Sequence, residues 1–338
     1  MEPSEFTYGS DKHGLVWAYS FVPGESAVEI GSERILSAIE PSPQDAPGAF
    51  IWLHFSLANA ASEGWLRRHL DLPTAFYDSL SERANSTRLE QEGDMLVAVV
   101  HDALFDFTFD PASVATVNLC MTPRLLVTAR LRPVRSVDRL RGAVRAGQDF
   151  RSPADLLAQL LRHQADVLAD IVRASSSKVN QIEDQLLAEQ VTSSRRELGA
   201  LRRTHVRLQR LLAPEPAAMF RLLSRSPGWI KESDLQELRL AAEEFAAAIA
   251  DSGALVERVK LLQEELGALV GEQTSRTLFV LTVVTVLALP VNLVAGLFGM
   301  NVGGIPFANH QHGFLLVAGV VVTVTLIAAY VALGRRKD

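Results

Sequence analysis

The sequence is poor in cysteine, with Cys120 alone among 338 residues. One thiol excludes an internal disulfide framework and any multi-thiolate metal centre within a single chain. Set in the apolar stretch 114–121, Cys120 reads as a small buried hydrophobe. His-Glu-x-x-His is absent, and so are a phosphate-binding glycine loop and any recognisable nucleophile triad, so nothing points to an enzyme. His54, His69, His101, His163 and His205 stand apart from one another and read as structural. Charge is missing over two long stretches. Residues 277–298 and 313–333 contain no Asp, Glu, Lys or Arg over 22 and 21 residues, and about 20 apolar residues suffice for a helix to cross a bilayer. Lys and Arg are also missing from the connection 299–312, whereas Arg335, Arg336 and Lys337 follow the second stretch. The positive-inside rule then predicts an external loop and a cytoplasmic C-terminal tail. Two spans return the N-terminus to the same side. The opening MEPSEFTYGSDKHG has no apolar core of a signal peptide, which predicts the same. The expected setting is the inner (plasma) membrane, with the lipid bilayer as a partner and both termini cytoplasmic.

What is present divides along the chain. Segments 15–22, 50–56, 95–107, 114–121 and 125–130 are rich in Val, Ile, Phe, Trp and Thr, as strands are. Segments 62–70 and 73–83 read as helices. Residues 1–150 are therefore expected to form a cytoplasmic α/β domain. Residues 151–230 read as helical, with Ser152-Pro153-Ala154-Asp155 as a helix start. One helix is expected from 152 to about 189 and another over 193–212. This region carries 12 Arg and Lys against 8 Asp and Glu. With the whole chain at net −6 and no recognition motif, Arg202, Arg203, Arg207 and Arg210 read as a solvated helix face and not a nucleic-acid site. After Ser226-Pro227-Gly228 no strong breaker occurs before Pro290. A helix over 231–298 would extend about 100 Å at 1.5 Å per residue. Its first part, 231–276, reads as a helical stalk. The first transmembrane helix follows over 277–298, the external loop over 299–312, the second transmembrane helix over 313–333 and a basic tail over 334–338.

Within the first span Ser275, Leu278, Thr282, Thr285, Leu289, Asn292 and Gly296 follow a 3-4 spacing and share one helix face. Asn292 is costly against lipid and is expected to face water or a partner helix. The stripe reads either as helix–helix contact or as the wall of a pore, and a pore requires several identical subunits around an axis. The same spacing runs back through Gly271, Ala268, Glu264, Leu261 and Glu257. Glu257 and Glu264 read either as acidic rings at a pore mouth or as ordinary helix solvation. The segment 231–276 holds 10 acids and 5 bases, and residues 1–276 hold 38 acids and 30 bases. Such an excess concentrates cations.

The first span closes on Gly299-Met300-Asn301, after Pro290-Val291-Asn292 and Gly296-Leu297-Phe298. A Gly-Met-Asn tripeptide between two C-terminal spans resembles the signature of the CorA superfamily of divalent-cation transporters. The following Val302-Gly303-Gly304-Ile305-Pro306 resembles its zinc-transporter branch, ZntB. The resemblance implies a funnel-shaped homopentamer whose first span lines the pore at the seven stripe positions. It further implies an external filter of Gly299, Met300 and Asn301 and an acidic inner ring that falls on Glu264. Neutral amide and carbonyl oxygens can hold a divalent ion through its first-shell waters. The cation, zinc by the branch resemblance, is cargo, and the resemblance implies no resident cofactor. His310 and His312 form an H-x-H pair in the loop that reads as ordinary loop histidines or as a transient zinc catch at the entrance. Zinc uptake in this branch is associated with proton coupling, yet no His, Asp or Glu lies between Ser275 and Asn301. A magnesium, cobalt or nickel channel, and a non-conducting membrane-anchored sensor or scaffold, are the competing readings.

Overall fold

A computed structural model describes residues 9–40, 46–81, 87–106, 113–187, 194–300 and 312–334. These fall in two compact units, Met1–Gln263 and Glu264–Asp338. The first unit is built on a seven-stranded sheet in the order β2-β1-β3-β7-β6-β5-β4. Its strands are β1 (Leu15–Phe21), β2 (Val28–Glu29), β3 (Phe50–Ser56), β4 (Arg88–Glu92), β5 (Met95–Ala103), β6 (Val114–Met121) and β7 (Leu125–Arg130). The central pair β3 and β7 is parallel, in register from Ile51 opposite Leu125 to Ser56 opposite Arg130. All other neighbours are antiparallel. Strands buried on both faces need apolar residues at consecutive positions, and FIWLHF and LLVTAR supply them.

Alternation along β3 separates two cores. Phe50 and Trp52 join a cluster with Phe21, with Leu140 of α4 (Arg135–Arg145), with Leu157 of α5 (Pro153–Leu187) and with Leu238 of α8 (Glu232–Phe298). Leu53 and Phe55 point the other way. They meet Ile35 of α1 (Ser32–Ile39), Leu66 of α2 (Ala61–His69) and Phe76 of α3 (Thr74–Ser81). The sheet is thus sandwiched between helical layers, and Cys120 is buried in it, with its thiol pushed up to about 12 by burial. Four elements went unread in the sequence: β2, α1, β4 and α4. β4 is RLEQE, an exposed edge strand whose charges discourage edge-to-edge pairing and remove the strand signal. The expected strand over 95–107 stops at Ala103, where Leu104 forms an isolated bridge with Val134 instead.

Four buried polar side chains at the centre of the sheet are joined by hydrogen bonds. Trp52 Nε1 donates to Thr128 Oγ1 at 2.8 Å, and His54 Nδ1 lies 2.7 Å from the same oxygen. Arg130 Nε donates to His54 Nε2 at 2.9 Å. His54 must therefore be neutral with its proton on Nδ1, and burial followed by the nearby Arg130 charge drives its pKa well below the ordinary value.

The helical part is tied at its start. Ser152 Oγ accepts from the Asp155 amide at 3.0 Å, as a cap does, and donates to Asp234 near the start of α8 at 2.6 Å. α5, α6 (Ser194–Leu212) and the first part of α8 share a core containing Leu168, Leu208 and Phe245. The short α7 (Pro214–Leu223) follows α6. His205 of α6 links all three long helices, 2.9 Å from Ser252 Oγ and 2.7 Å from Ser175 Oγ. Ion pairs reinforce the bundle: Arg162 meets Glu237, and Arg258 meets Glu183. The second unit contains the rest of α8 and α9 (Gly313–Gly334), both long and apolar enough to cross a membrane.

Two outcomes follow from this packing. Phe245→Ala is expected to destabilise the chain by about 3–5 kcal/mol, the usual effect of emptying a buried aromatic site, read as a fall in midpoint by chemical denaturation. Burial lowers the His205 pKa to about 4. The unfolded chain takes up a proton near pH 6.5 that the folded chain refuses, so this contribution is complete above that pH and is lost as pH falls towards 4, by up to about 1.4 kcal/mol per pH unit. Asp102 and Glu215 are shifted upwards by burial and act in the opposite sense. The measurement is therefore the Tm gap between wild type and His205→Gln in detergent, which is expected to narrow from pH 7 to pH 5. A gap independent of pH contradicts a neutral His205.

Candidate functional site

α8 is continuous over 67 residues with Pro290 inside it. Proline withdraws the amide that would bond the carbonyl of Val286, a break that a span can absorb where neighbouring helices and hydroxyls re-satisfy the backbone. Every member of the 3-4 stripe, Ser275, Leu278, Thr282, Thr285, Leu289, Asn292 and Gly296, is exposed in the single chain. Val283, Leu287, Pro290 and Val294 are half-buried. At about 100° per residue they lie roughly 150° around the helix from the stripe. On α9 the half-buried positions Val317, Val321, Thr325 and Ala328 likewise share one face. Among the described residues of this unit only these two helices can cover each other. The stripe is therefore on the side of α8 turned away from α9.

The hydroxyls of this face have a defined state. Thr282 Oγ1 donates to the Leu278 carbonyl at 2.8 Å and Thr285 Oγ1 to the Leu281 carbonyl at 2.9 Å. Donation consumes the proton and leaves the oxygen lone pairs as acceptors. The face thus offers oxygen acceptors, with the Asn292 amide one turn or two beyond. Such a surface suits water molecules that surround a cation and is a poor dehydrating site for zinc, which favours nitrogen and sulfur. Among the described residues no group of three or more His, Cys, Asp and Glu side chains is placed to hold a metal ion.

α8 ends at Phe298, and the Gly299 amide bonds the Ala295 carbonyl at 2.9 Å. A Cβ on Gly299 would lie 3.0 Å from that carbonyl oxygen, so the turn accepts a larger residue only with a backbone shift. Met300 is half exposed. Asn301, His310 and the stretch 302–306 lie outside the described residues. His312 is exposed, and its carbonyl accepts the Leu316 amide at 3.2 Å in the first turn of α9.

Towards the N-terminus the stripe remains exposed at Gly271, Ala268, Glu264, Leu261 and Glu257. It extends further than the sequence reading took it, through Ala254, Ala250, Ala247, Glu243 and Leu240, all exposed. The regular spacing of alanines was the available signal. Glu257 pairs loosely with Lys260 at 3.6 Å on its own helix, both side chains being well exposed. A contact of that kind contributes little.

One polar cluster was hidden from sequence reasoning. His101 on β5 meets Glu215 on α7, whose carboxylate accepts the His101 amide at 2.5 Å and lies 3.5 Å from Nδ1. The adjacent Asp102 accepts from the amide and hydroxyl of Ser136 at 2.8 and 2.7 Å, capping α4 from the sheet. Burial raises Asp102 to about 7 and shifts Glu215 upwards. The separation of 114 residues between His101 and Glu215 leaves no local pattern to read.

The zinc transport protein ZntB of Yersinia enterocolitica is 24% identical over 315 residues, covering 93% of each chain. The divalent cation transporter CmaX of Pseudomonas aeruginosa is 25% identical over 316 residues, covering 92% of this chain and 94% of its own. Among solved structures, full-length CmaX superposes with a TM-score of 0.81 at 24% identity, over 97% of this chain and 99% of that one. The CorA magnesium transporter of Methanocaldococcus jannaschii does so with a TM-score of 0.75 at 19% identity, over 93% and 96%. At these identities the structural likeness establishes the fold: a sheet domain, a long helix and two C-terminal spans. The family described as CorA-like Mg2+ transporter protein matches residues 47–336, most of the chain, and the protein belongs to that family.

Proposed function

We propose that several copies of this chain surround a common axis and conduct divalent cations, zinc foremost, along the polar face of α8. The observation that carries this reading is the uncovered stripe from Ser275 to Gly296, on the side of α8 opposite the face that α9 covers. A hydroxyl–amide face of this kind is expensive against lipid, and a water-filled axis relieves that expense. Thr282, Thr285 and Asn292 would then accept hydrogen bonds from the waters of a passing ion. Gly299, Met300 and Asn301 would form the external filter, with Glu257 and Glu264 as acidic rings on the inner side. In this arrangement residues 1–150 and 151–230 lie in the cytoplasm, 231–276 form the stalk, and the ring has five subunits as the family resemblance implies.

Zinc as the cargo is supported by the likeness to ZntB and by the Val302–Pro306 stretch. Magnesium, cobalt or nickel is the alternative, supported by the magnesium transporter that shares the fold. Oxygen acceptors alone do not separate these ions, because hydrated divalent cations present similar outer surfaces. In a non-conducting scaffold the same Thr and Asn positions would serve contact between helices of neighbouring subunits.

Flux into proteoliposomes separates the readings. Zinc, magnesium and cobalt are each offered with and without a pH gradient, and zinc entry accelerated by the gradient is the expected result. Asn301→Ala, in protein that still folds and assembles, is expected to reduce flux by about tenfold or more, the equivalent of losing one hydrogen bond to the ion's water shell. The shape-conserving pair Thr282→Val and Thr285→Val removes the acceptor oxygens and should act in the same direction. Undiminished flux in all of these variants sinks the pore assignment. Replacing His310 and His312 by Ala is expected to raise the half-saturating zinc concentration while leaving maximal flux unchanged. Equal uptake at every zinc concentration removes the entrance role.

A further inference from the structure

The first unit carries a basic groove that the transport reading does not use. Its wall is one face of α6. At 100° per residue Arg203, Arg207 and Arg210 fall within a narrow arc, with Arg202 at its margin and Gly199 and Val206 between them. The groove has a volume of about 950 Å3, is open to solvent, and is also lined by Thr87, Leu211, Pro214 and Gln263. All four arginines are exposed.

Several arginines of the same bundle are paired with carboxylates, whereas among the described residues these four, clustered on one face, are not. Arg139 and Arg173 share Asp170, Arg162 lies between Glu237 and Glu244, and Arg258 meets Glu183. Among the described residues Arg202 reaches the neutral amide oxygen of Gln263, at 3.2 Å, and no carboxylate. Arg203, Arg207 and Arg210 meet no carboxylate among the described residues. Like charges three and four residues apart oppose helix formation, in a chain with net charge −6 and acids to spare. Gly199 adds a second oddity. It weakens the helix interior relative to alanine, and it leaves the floor open where the Arg203 guanidinium lies 3.4 Å from the position a Cβ would take.

We propose that this groove binds a small soluble organic polyphosphate of the nucleoside polyphosphate class. Guanidinium forks match phosphate oxygens in pairs. Successive arginines along the face are offset by about 6 and 4.5 Å along the axis, within reach of adjacent phosphates on one ligand. Val206, nearly half exposed, together with Leu211 and Pro214 offers an apolar floor for the organic moiety. The volume is that of a small-molecule site. An extended nucleic acid would need basic surface continuing beyond the groove, and the acid-rich chain does not supply it.

The test uses full-length protein in nanodiscs and metal-free buffer, with ATP as the probe in titration calorimetry. Saturable binding at one site per chain is expected, weakening with added salt. The double variant Arg203→Gln/Arg207→Gln should bind at least about tenfold more weakly, the loss of one charge-assisted contact. Arg173→Gln, outside the groove, should bind as wild type does. Circular dichroism confirms that the variants fold. Three outcomes overturn the proposal: no saturable ATP binding, equal affinity in the double variant, or arginine-dependent binding seen only with vesicles containing phosphatidylglycerol. Loss of oligomers in the double variant with ATP affinity intact would assign the arginines to subunit contact instead. The readout is binding and not flux, so its failure leaves the pore assignment untouched.

Discussion

A hydroxyl or amide placed within a hydrocarbon layer must find a partner, and that constraint organises the second unit of this protein. α8 carries Thr282, Thr285 and Asn292 on one face and its Val283, Leu287, Pro290 and Val294 stripe on another. α9 takes the apolar side. Threonine hydroxyls settle their own protons on the helix backbone, which reduces the penalty in a lone helix without removing it. Their acceptor capacity and the Asn292 amide still require company. On the proposed reading that company is the water around a cation. The chemistry of the stripe is accordingly that of oxygen acceptors and not of metal ligands.

The first unit solves a different problem. A wide sheet covered on both faces buries several ionisable groups, and each is held in the form that burial permits. His54 stays neutral because Thr128 accepts its proton-bearing nitrogen's bond and Arg130 donates to the other. His205 stays neutral between two serines on neighbouring helices. Asp102 and Glu215 use their carboxylates on backbone amides of β5 and α4. These contacts specify which helix sits where, since an unpaired buried charge or amide is far more costly than a missing apolar contact. The start of α8 is fixed in the same way, by the hydroxyl of Ser152 on Asp234.

The same arithmetic of pairing applies to the arginines of the helical bundle. Arginines facing α8 and α5 acids serve the packing of those helices. The α6 arginines around Gly199 repel one another and are not neutralised by the carboxylates described. A face with that property is understandable as the receiving half of an interaction with an anion.

Much of this protein was legible without coordinates. The two uncharged stretches, the uninterrupted approach to Pro290, and the 3-4 spacing of Thr282, Thr285 and Asn292 depend only on helix periodicity and on what lipid excludes. β3 and β7 were legible because strands buried on both faces need unbroken apolar runs. Gly299-Met300-Asn301 was legible as a family resemblance, and Asn301 lies outside the described residues. Tertiary structure alone decided that α9 lies on the apolar side of α8 and leaves the polar stripe open. It alone brought His101 to Glu215 and made RLEQE an edge strand, and it alone separated paired from unpaired arginines. Each of these depends on which distant segment lies alongside, and local periodicity carries no information about that.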